Sequence, residues 1–248
     1  MKVIITKNKQ ELSEKACELI EHQVKEQPDS VLGLATGGSP LGTYNEMIKG
    51  FQHRSVDYRH VKTLNLDEYI GLDKNDPQSY HYFMRKHLFD HININPEHTY
   101  IPNGKAKDLQ EECEQYEQFI EEIGPPDLQL LGIGQNGHIG FNEPGTPFAR
   151  ETHLIQLEES TRQANARFFD SIDAVPKQAI TMGIKSILKS NKIVVIASGE
   201  RKVDAIQRLV EEEPSEDLPA SALKNHKNVT LIVDEEAYQK VGQGEETQ

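Results

Sequence analysis

The side chains best suited to acid–base chemistry follow short apolar runs in this sequence. Asp67 and Glu68 come directly after one such run. His138 and Glu143 lie together in a glycine-rich segment, with Asn136 two residues before the histidine. Histidine is the usual proton shuttle near neutral pH, and a carboxylate or amide oxygen can fix its tautomer. Two adjacent carboxylates raise the pKa of one of them, which turns it into a usable base.

Each of these groups also has an alternative interpretation. A lone loop histidine can face solvent without a partner, and an Asp after a strand commonly caps the next turn. His138, Glu143 and Asp67 could in principle form a facial triad around a metal ion. Their spacing matches no zinc motif, however, and neither Cys17 nor Cys113 is nearby in the sequence. We therefore expect no metal and no cofactor.

A second set of residues has the composition of a phosphate site. The segment TGGSP at 36–40 follows an apolar run and precedes a helical pattern. Its glycines let backbone N–H groups approach an anion, and the helix N-terminus adds unpaired donors. A tight turn with proline near the helix start explains the segment equally well. Three cations are candidate phosphate ligands, although each alone is more commonly a solvated surface charge: Arg162, Arg167 and Lys202.

Residues 132–137, GIGQNG, match the pattern G-x-G-x-x-G of dinucleotide-binding loops. That motif requires a helix to open inside it and an acidic residue at the end of the next strand. Pro144 follows shortly after, and the intervening HIGFNEPG is typical of a loop. The match therefore does not indicate a nicotinamide cofactor.

The elements that must position these residues are short strands alternating with helices. Apolar runs predict strands at 3–6, 31–35, 61–66, 128–133, 153–157, 192–198 and 228–233. Helical patterns follow a capping box at Asn8–Glu11 and the TGGSP segment, and recur near 108–123, 161–169, 177–189 and 201–212. Continuously apolar strands between helices predict an α/β fold with a mostly parallel sheet and helices on both faces. We predict a single domain, 1–240, with a frayed tail at 241–248.

Composition excludes several other classes of protein. The chain has 248 residues, of which 36% are apolar and 27% charged, so disorder and fibrous structure are excluded. No apolar run approaches the roughly 20 residues of a membrane span, and the start, MKVIITKNKQ, is too weakly apolar for a signal peptide. We expect a cytoplasmic protein without a membrane partner. The net charge of −13 makes nucleic-acid binding unexpected.

Taken together, the segments resemble one family. TGGSP, NLDEYIGL, SYHYFM, GIGQNGHIGFNEPG, TRQANARFF, VPKQAITMG and SGERK occur in the order found in glucosamine-6-phosphate deaminases. The resemblance spans nearly the whole chain. It implies a Rossmann-like fold shared with ribose-5-phosphate isomerase and 6-phosphogluconolactonase. It also implies conversion of glucosamine 6-phosphate and water to fructose 6-phosphate and ammonia in amino-sugar catabolism, without metal or nucleotide.

The resemblance implies a role for single residues as well. Asp67 matches the base that moves the C2 proton toward C1, and His138 matches the group that opens the pyranose ring. Asn136 and Glu143 match the partners that orient and tune this histidine. The matching phosphate ligands are Gly37, Gly38, Ser39, Arg167 and Lys202.

The chain departs from the family pattern at two places. Many relatives have Asp where this chain has Asn136. Hexameric relatives regulated by N-acetylglucosamine 6-phosphate have a basic pair where this chain has His153 and Ile155. We therefore expect no allosteric activation, and a monomer or small homo-oligomer. The alternatives are a lactonase or isomerase on the same fold, and a sugar-phosphate-sensing regulator that has lost catalysis. Retained Asp67 and His138, with the acidic charge, argue against the regulator.

Overall fold

The computed structural model describes residues 1–157, 159, 162, 163, 166, 169 and 171–242. Its strands are β1 (Lys2–Thr6), β2 (Val31–Leu34), β3 (Lys62–Asn65), β4 (Asp67–Tyr69), β5 (Thr99–Tyr100), β6 (Leu128–Gly132), β7 (His153–Gln156), β8 (Gln178–Thr181), β9 (Ile193–Ala197) and β10 (Val229–Asp234). Seven of them form one parallel sheet in the order β1-β10-β9-β6-β2-β3-β5. The predicted mostly parallel sheet is confirmed.

The helices are α1 (Lys9–Glu26), α2 (Leu41–His53), α3 (Tyr80–His87), α4 (Leu109–Ile123), α5 (Ile184–Leu188), α6 (Val203–Glu211) and α7 (Glu235–Tyr238). The start of α1 is fixed as its sequence predicts, because Asn8 Oδ1 accepts the backbone N–H of Glu11 at 3.0 Å. The Glu11 carboxylate accepts the N–H of Lys7 at 2.9 Å in return. Within the described ranges, no helix combines the length and apolarity that crossing a lipid bilayer requires.

Helices cover both faces of the parallel sheet. On one face α1, α2 and α3 bury residues such as Ile20, Met47 and Met84 against the leucines of β2 and β6. On the other face α4, α5 and α6 bury their own aliphatic side chains, including Ile120 and Leu209. Strands buried on both sides carry mostly apolar residues, which is why runs such as 193–197 are continuously apolar in the sequence.

A second, smaller sheet differs from the sequence-based expectation. Its three strands are antiparallel in the order β4-β8-β7. The segment 177–189, predicted as a helix, instead contains β8 followed by the short α5. Ala179 and Ile180 are fully buried between two strand neighbours, so pairing and packing override the helical period. The helix predicted at 161–169 lies largely outside the described residues, as does most of the tail at 241–248.

Candidate active site

A cavity of about 750 Å³ opens at the carboxyl ends of the strands of the parallel sheet. Four neighbouring strands, β9, β6, β2 and β3, end there, and their loops converge as expected for parallel α/β sheets. The sequence-predicted residues that line the cavity are Gly37, Gly38, Ser39, Asp67, Asn136, His138 and Lys202. Glu143 lies behind this lining, in contact with Asn136 and His138. Arg167 lies outside the described residues.

The cavity also contains residues that the sequence did not single out. Thr36 and Arg201 line the cavity from the TGGSP and SGERK segments. Their position directly after a predicted strand could have indicated them from the sequence. Tyr80 reaches it from α3, which no strand-end argument could indicate. Further lining residues are Gln135, Gly140, Phe141 and Gln163.

Asp67 is the buried acid of the cavity. It begins β4, pairs with Thr181 of β8, and is only 6% exposed. Burial, followed by the neighbouring negative charge of Glu68, raises the pKa of Asp67 to about 8. A carboxylate with such a pKa can both take and return a proton near neutral pH.

His138 is oriented through an amide rather than directly by a carboxylate. Its Nδ1 lies 2.7 Å from Asn136 Oδ1, and Asn136 Nδ2 donates to Glu143 Oε2 at 2.8 Å. Glu143 Oε2 is 3.6 Å from His138 Nδ1. Because the Asn136 amide must donate to Glu143, its oxygen faces the ring and His138 Nδ1 carries the proton. The Nε2 atom is then left with a lone pair for proton transfer.

The loop that carries His138 is anchored to the same strand that pairs with β4. The backbone N–H of Phe141 donates to Thr181 Oγ1 at 3.1 Å. Asn142 Nδ2 donates to the carbonyl of Met182 at 2.8 Å. β8 therefore fixes Asp67 on one side and the His138 loop on the other. The segment 177–189, which was predicted as a helix, therefore contains the strand that fixes Asp67 and the His138 loop relative to each other.

The opposite end of the cavity is suited to an anion. Gly37 has a positive φ of 88°, which a residue with a side chain rarely adopts. α2 starts after Pro40 without a side-chain cap, which leaves its first N–H groups unpaired by side chains. Lys202 Nζ donates to the carbonyl of Ile133 at 2.6 Å, which brings this ammonium to the end of β6. An anionic group of a ligand would meet donors here despite the acidic charge of the chain.

Metal ligation was the alternative interpretation of the acidic residues. Across the part of the chain that the structure describes, no three His, Cys, Asp or Glu side chains are grouped so that they could hold a metal ion. His138 Nδ1 is engaged by Asn136, and Glu68 turns toward α3. The arrangement instead combines one buried acid, one oriented histidine and one loop with the donors that an anion requires.

Comparisons with known proteins show the family of this chain. The family model of glucosamine-6-phosphate isomerases/6-phosphogluconolactonase matches residues 6–232. Glucosamine-6-phosphate deaminase of Geobacillus sp. (strain WCH70) is 55% identical over 96% of this chain and 94% of its own length. Glucosamine-6-phosphate deaminase 1 of Bacillus subtilis (strain 168) is 52% identical over 96% of this chain and 98% of its own.

Two solved structures show the same fold. A structure described as a monomeric glucosamine-6-phosphate deaminase superposes with a TM-score of 0.95, at 51% identity, covering 96% of this chain and 99% of the other. The 6-phosphogluconolactonase from Trypanosoma cruzi superposes with a TM-score of 0.77 at 19% identity, covering 97% of each chain, which indicates a shared fold. With the family model matching most of its length, this chain belongs to the glucosamine-6-phosphate isomerase and 6-phosphogluconolactonase family.

Proposed function

We propose that this protein is a glucosamine-6-phosphate deaminase, which converts glucosamine 6-phosphate and water to fructose 6-phosphate and ammonia. One observation carries the proposal: the buried acid Asp67 and the oriented His138 line a single cavity that also contains the TGGSP loop. The relatives above 50% identity bear the same activity in their names. Amino-sugar catabolism is the process that such a reaction would serve.

His138 opens the sugar ring in this proposal. Ring opening removes a proton from the C1 hydroxyl and delivers one to the ring oxygen. A neutral imidazole with a free Nε2 can take the first proton and give it to the second position. Asn136 and Glu143 hold the ring in the required tautomer, through the 2.7 Å and 2.8 Å contacts described above.

Asp67 then acts on the open-chain sugar. It takes the proton from C2 and returns it to C1, while O1 gains a proton and the amine nitrogen loses one. The aldehyde carbon becomes a CH2OH group, and C2 becomes the imine carbon of a ketose. Water adds to the imine carbon, and the carbon–nitrogen bond breaks to release ammonia and leave the ketone of fructose 6-phosphate. The pKa of about 8 supports this role, since the group gains and loses the same proton within one turnover.

The phosphate group supplies binding energy at a distance from the reacting carbons. We assign its contacts to backbone N–H groups of the TGGSP loop and to Lys202, with Arg167 as a further cation. Binding energy from a non-reacting group can be used to place C1 and C2 against the catalytic residues. We assign Arg201, which also lines the cavity, as an additional contact at this end.

The remaining expectations form part of the same proposal. The substrate is a small sugar phosphate, no nucleic acid is bound, and no metal or cofactor takes part. A monomer is supported by the solved relative described as monomeric. Two buried, unpaired cysteines support a reducing, cytoplasmic location. Residues 1–240 form the single catalytic domain.

A direct assay tests the proposal. Pure protein is incubated with glucosamine 6-phosphate, with and without EDTA, and ammonia and fructose 6-phosphate are measured in the same sample. We expect equal amounts of both products and no effect of the chelator. Matched variants are Asp67→Asn and His138→Gln, each of which keeps size and polarity while removing the proposed proton transfer. Wild-type protein that releases neither product would refute the proposal, and activity lost on chelation and restored by a divalent ion would refute its metal-free mechanism.

A further inference from the structure

We propose that Glu68 is a positioning residue for Asp67, and that His81 controls how strongly the Glu68 charge acts on that base. The inference rests on the proposed deaminase function, because it treats Asp67 as the base. Neither Glu68 nor His81 is among the described residues that line the substrate cavity. Any effect they have on turnover must therefore pass through the residues that do.

The Glu68 carboxylate is buried and fully occupied by hydrogen bonds. It is 1% exposed. Its Oε1 accepts the backbone N–H groups of Tyr69 at 2.8 Å and Tyr80 at 3.0 Å. Its Oε2 accepts the backbone N–H of His81 at 3.1 Å and lies 2.9 Å from the ring Nδ1 of the same residue. Charge-assisted bonds of this kind are strong, so Glu68 locks the start of α3 against β4.

The hydrogen bonds of Glu68 fix the positions of two residues that line the cavity. Asp67 and Glu68 are consecutive in β4, so their side chains leave opposite faces of the strand. Asp67 lines the substrate cavity while Glu68 binds α3. The residue whose N–H it holds, Tyr80, also lines the cavity. Fixing Glu68 therefore fixes both the base and one wall of its pocket.

Glu68 also places a negative charge next to Asp67. Burial is the larger cause of the raised pKa of Asp67, and the Glu68 charge is the second cause. Other titratable groups that act on or face Asp67 are tyrosines whose own pKa burial raises, so they stay neutral across an assay range: Tyr44, Tyr69, Tyr80 and Tyr116. Across the cavity lie His138 and Lys202. Of the groups around Asp67, Glu68 is the adjacent one with a charge of the same sign.

His81 connects this pair to solvent. Its side chain is 28% exposed and lines a separate cavity of about 200 Å³. Asp73 and Lys105 face each other there at 4.0 Å, and Lys74 is a further cation of the same lining. Arg85 lies one turn along α3 from His81. The ring Nδ1, 2.9 Å from Glu68 Oε2, is placed to offset the charge of Glu68, so removing the ring leaves more of that charge to act on Asp67.

Two substitutions should therefore move the titration of Asp67 in opposite directions. Glu68→Gln removes the adjacent charge, so Asp67 should lose its proton about one pH unit lower, a shift of the size expected between close charges at a protein site. His81→Phe removes the compensating group, so the titration should move to higher pH by a smaller amount. His81→Gln keeps an N–H donor for Glu68 without a titratable charge, so it should match His81→Phe in direction while retaining more activity.

The measurement is made in two ways on the full chain. Carbon-detected NMR follows the Asp67 carboxyl across pH, assigned through its loss in Asp67→Asn, and kcat/KM for glucosamine 6-phosphate is recorded over the same range. The control is Glu122→Gln, which removes one charge from the exposed end of α4 and should shift neither readout. Circular dichroism confirms that each variant is folded.

The outcomes separate the inference from the function it builds on. Wild-type protein without ammonia release refutes the proposed deaminase, while the NMR titration still decides whether Glu68 acts on Asp67. An Asp67 titration that is unmoved in Glu68→Gln, or that moves the same way in Glu68→Gln and His81→Phe, overturns the inference. If Glu68→Gln does not fold, the two His81 variants decide: an unmoved titration in both overturns it.

Discussion

Replacing Asp67 by Asn should stabilise the protein while strongly lowering its turnover. The buried carboxyl has a pKa of about 8 in the folded chain, against an ordinary value of 3.8. Between those values the folded protein must hold a proton that the unfolded chain has lost, which makes ionisation a cost to folding. As far as Asp67 is concerned, the wild-type free energy of unfolding is therefore highest below about pH 4. It falls as the pH rises through about 8. Asn removes that cost because it has no proton to lose.

The size of the gain follows from the same two values. At pH 7, about three pH units above 3.8, the gain in free energy of unfolding should be up to about 4 kcal/mol. Above pH 9 it should level off near 6 kcal/mol, and at pH 4 it should vanish. For a chain of this length, the gain at pH 7 corresponds to a rise in Tm of roughly 10 °C. Turnover should fall by about 10²–10⁴-fold, because the amide accepts no C2 proton.

Urea unfolding and thermal melts at pH 4, 7 and 9 measure the effect. The matched control is Asp234→Asn. The Asp234 carboxylate is 5% exposed but accepts the N–H groups of Gly199 at 3.0 Å and Ala237 at 2.9 Å, so its loss should destabilise the protein. An Asp67→Asn variant whose stability relative to wild type is the same at all three pH values, or lower at pH 7, would contradict the reasoning about burial.

Three further predictions concern the rest of the site. Asn136→Asp should stay active, with the acidic limb of kcat/KM moved to higher pH because the variant adds a charge beside His138. Asn136→Ala should lose more activity. An unmoved acidic limb in Asn136→Asp would contradict this. Lys202→Met should raise KM for glucosamine 6-phosphate about 10–100-fold, the worth of a charged hydrogen bond, and an unchanged KM would remove Lys202 from the phosphate site. Initial rates should be hyperbolic and insensitive to N-acetylglucosamine 6-phosphate, because His153 is 7% exposed and Ile155 carries no charge; a sigmoidal curve abolished by that compound would show an effector site elsewhere.

The parallel sheet could be predicted from the sequence because its strands are buried on both faces. The run 193–197 is therefore apolar throughout, and 229–234 is apolar apart from Thr230 and its last residue, Asp234. The cavity lies where 193–197 and three neighbouring strands end. The residues brought together at that edge, from Gly37 to Lys202, were predicted from this rule and from the family resemblance. Their assigned chemical roles remain predictions.

The second sheet could not be predicted in the same way. β4 is three residues long and begins with two acids, so nothing in its composition indicates a buried strand. β8 follows a helical period that only its pairing with β4 and β7 overrides. The contacts made by Glu68 and Tyr80 depend on this sheet and on α3, so these contacts could not be predicted from the sequence.

The order of contacts around His138 was also inaccessible to the sequence. Sequence reasoning placed Asn136 and Glu143 near the histidine but could not tell which of them touches the ring. The structure puts the amide between the ring and the carboxylate, with contacts of 2.7 Å and 2.8 Å. An amide donates to one partner and accepts from the other, whereas an ionised Asp only accepts, so the Asn136→Asp variant could not make both contacts in the same way.

A comparison of two substrates decides whether this protein is a deaminase, because the family includes lactonases as well as deaminases. The kcat/KM of the pure protein is determined side by side for glucosamine 6-phosphate, by ammonia release, and for 6-phosphogluconolactone, by acid release. We expect turnover of the amino sugar that is lost in Asp67→Asn, and lactone hydrolysis no faster than in buffer alone. Lactone hydrolysis that depends on the protein, without ammonia release from the amino sugar, would contradict it.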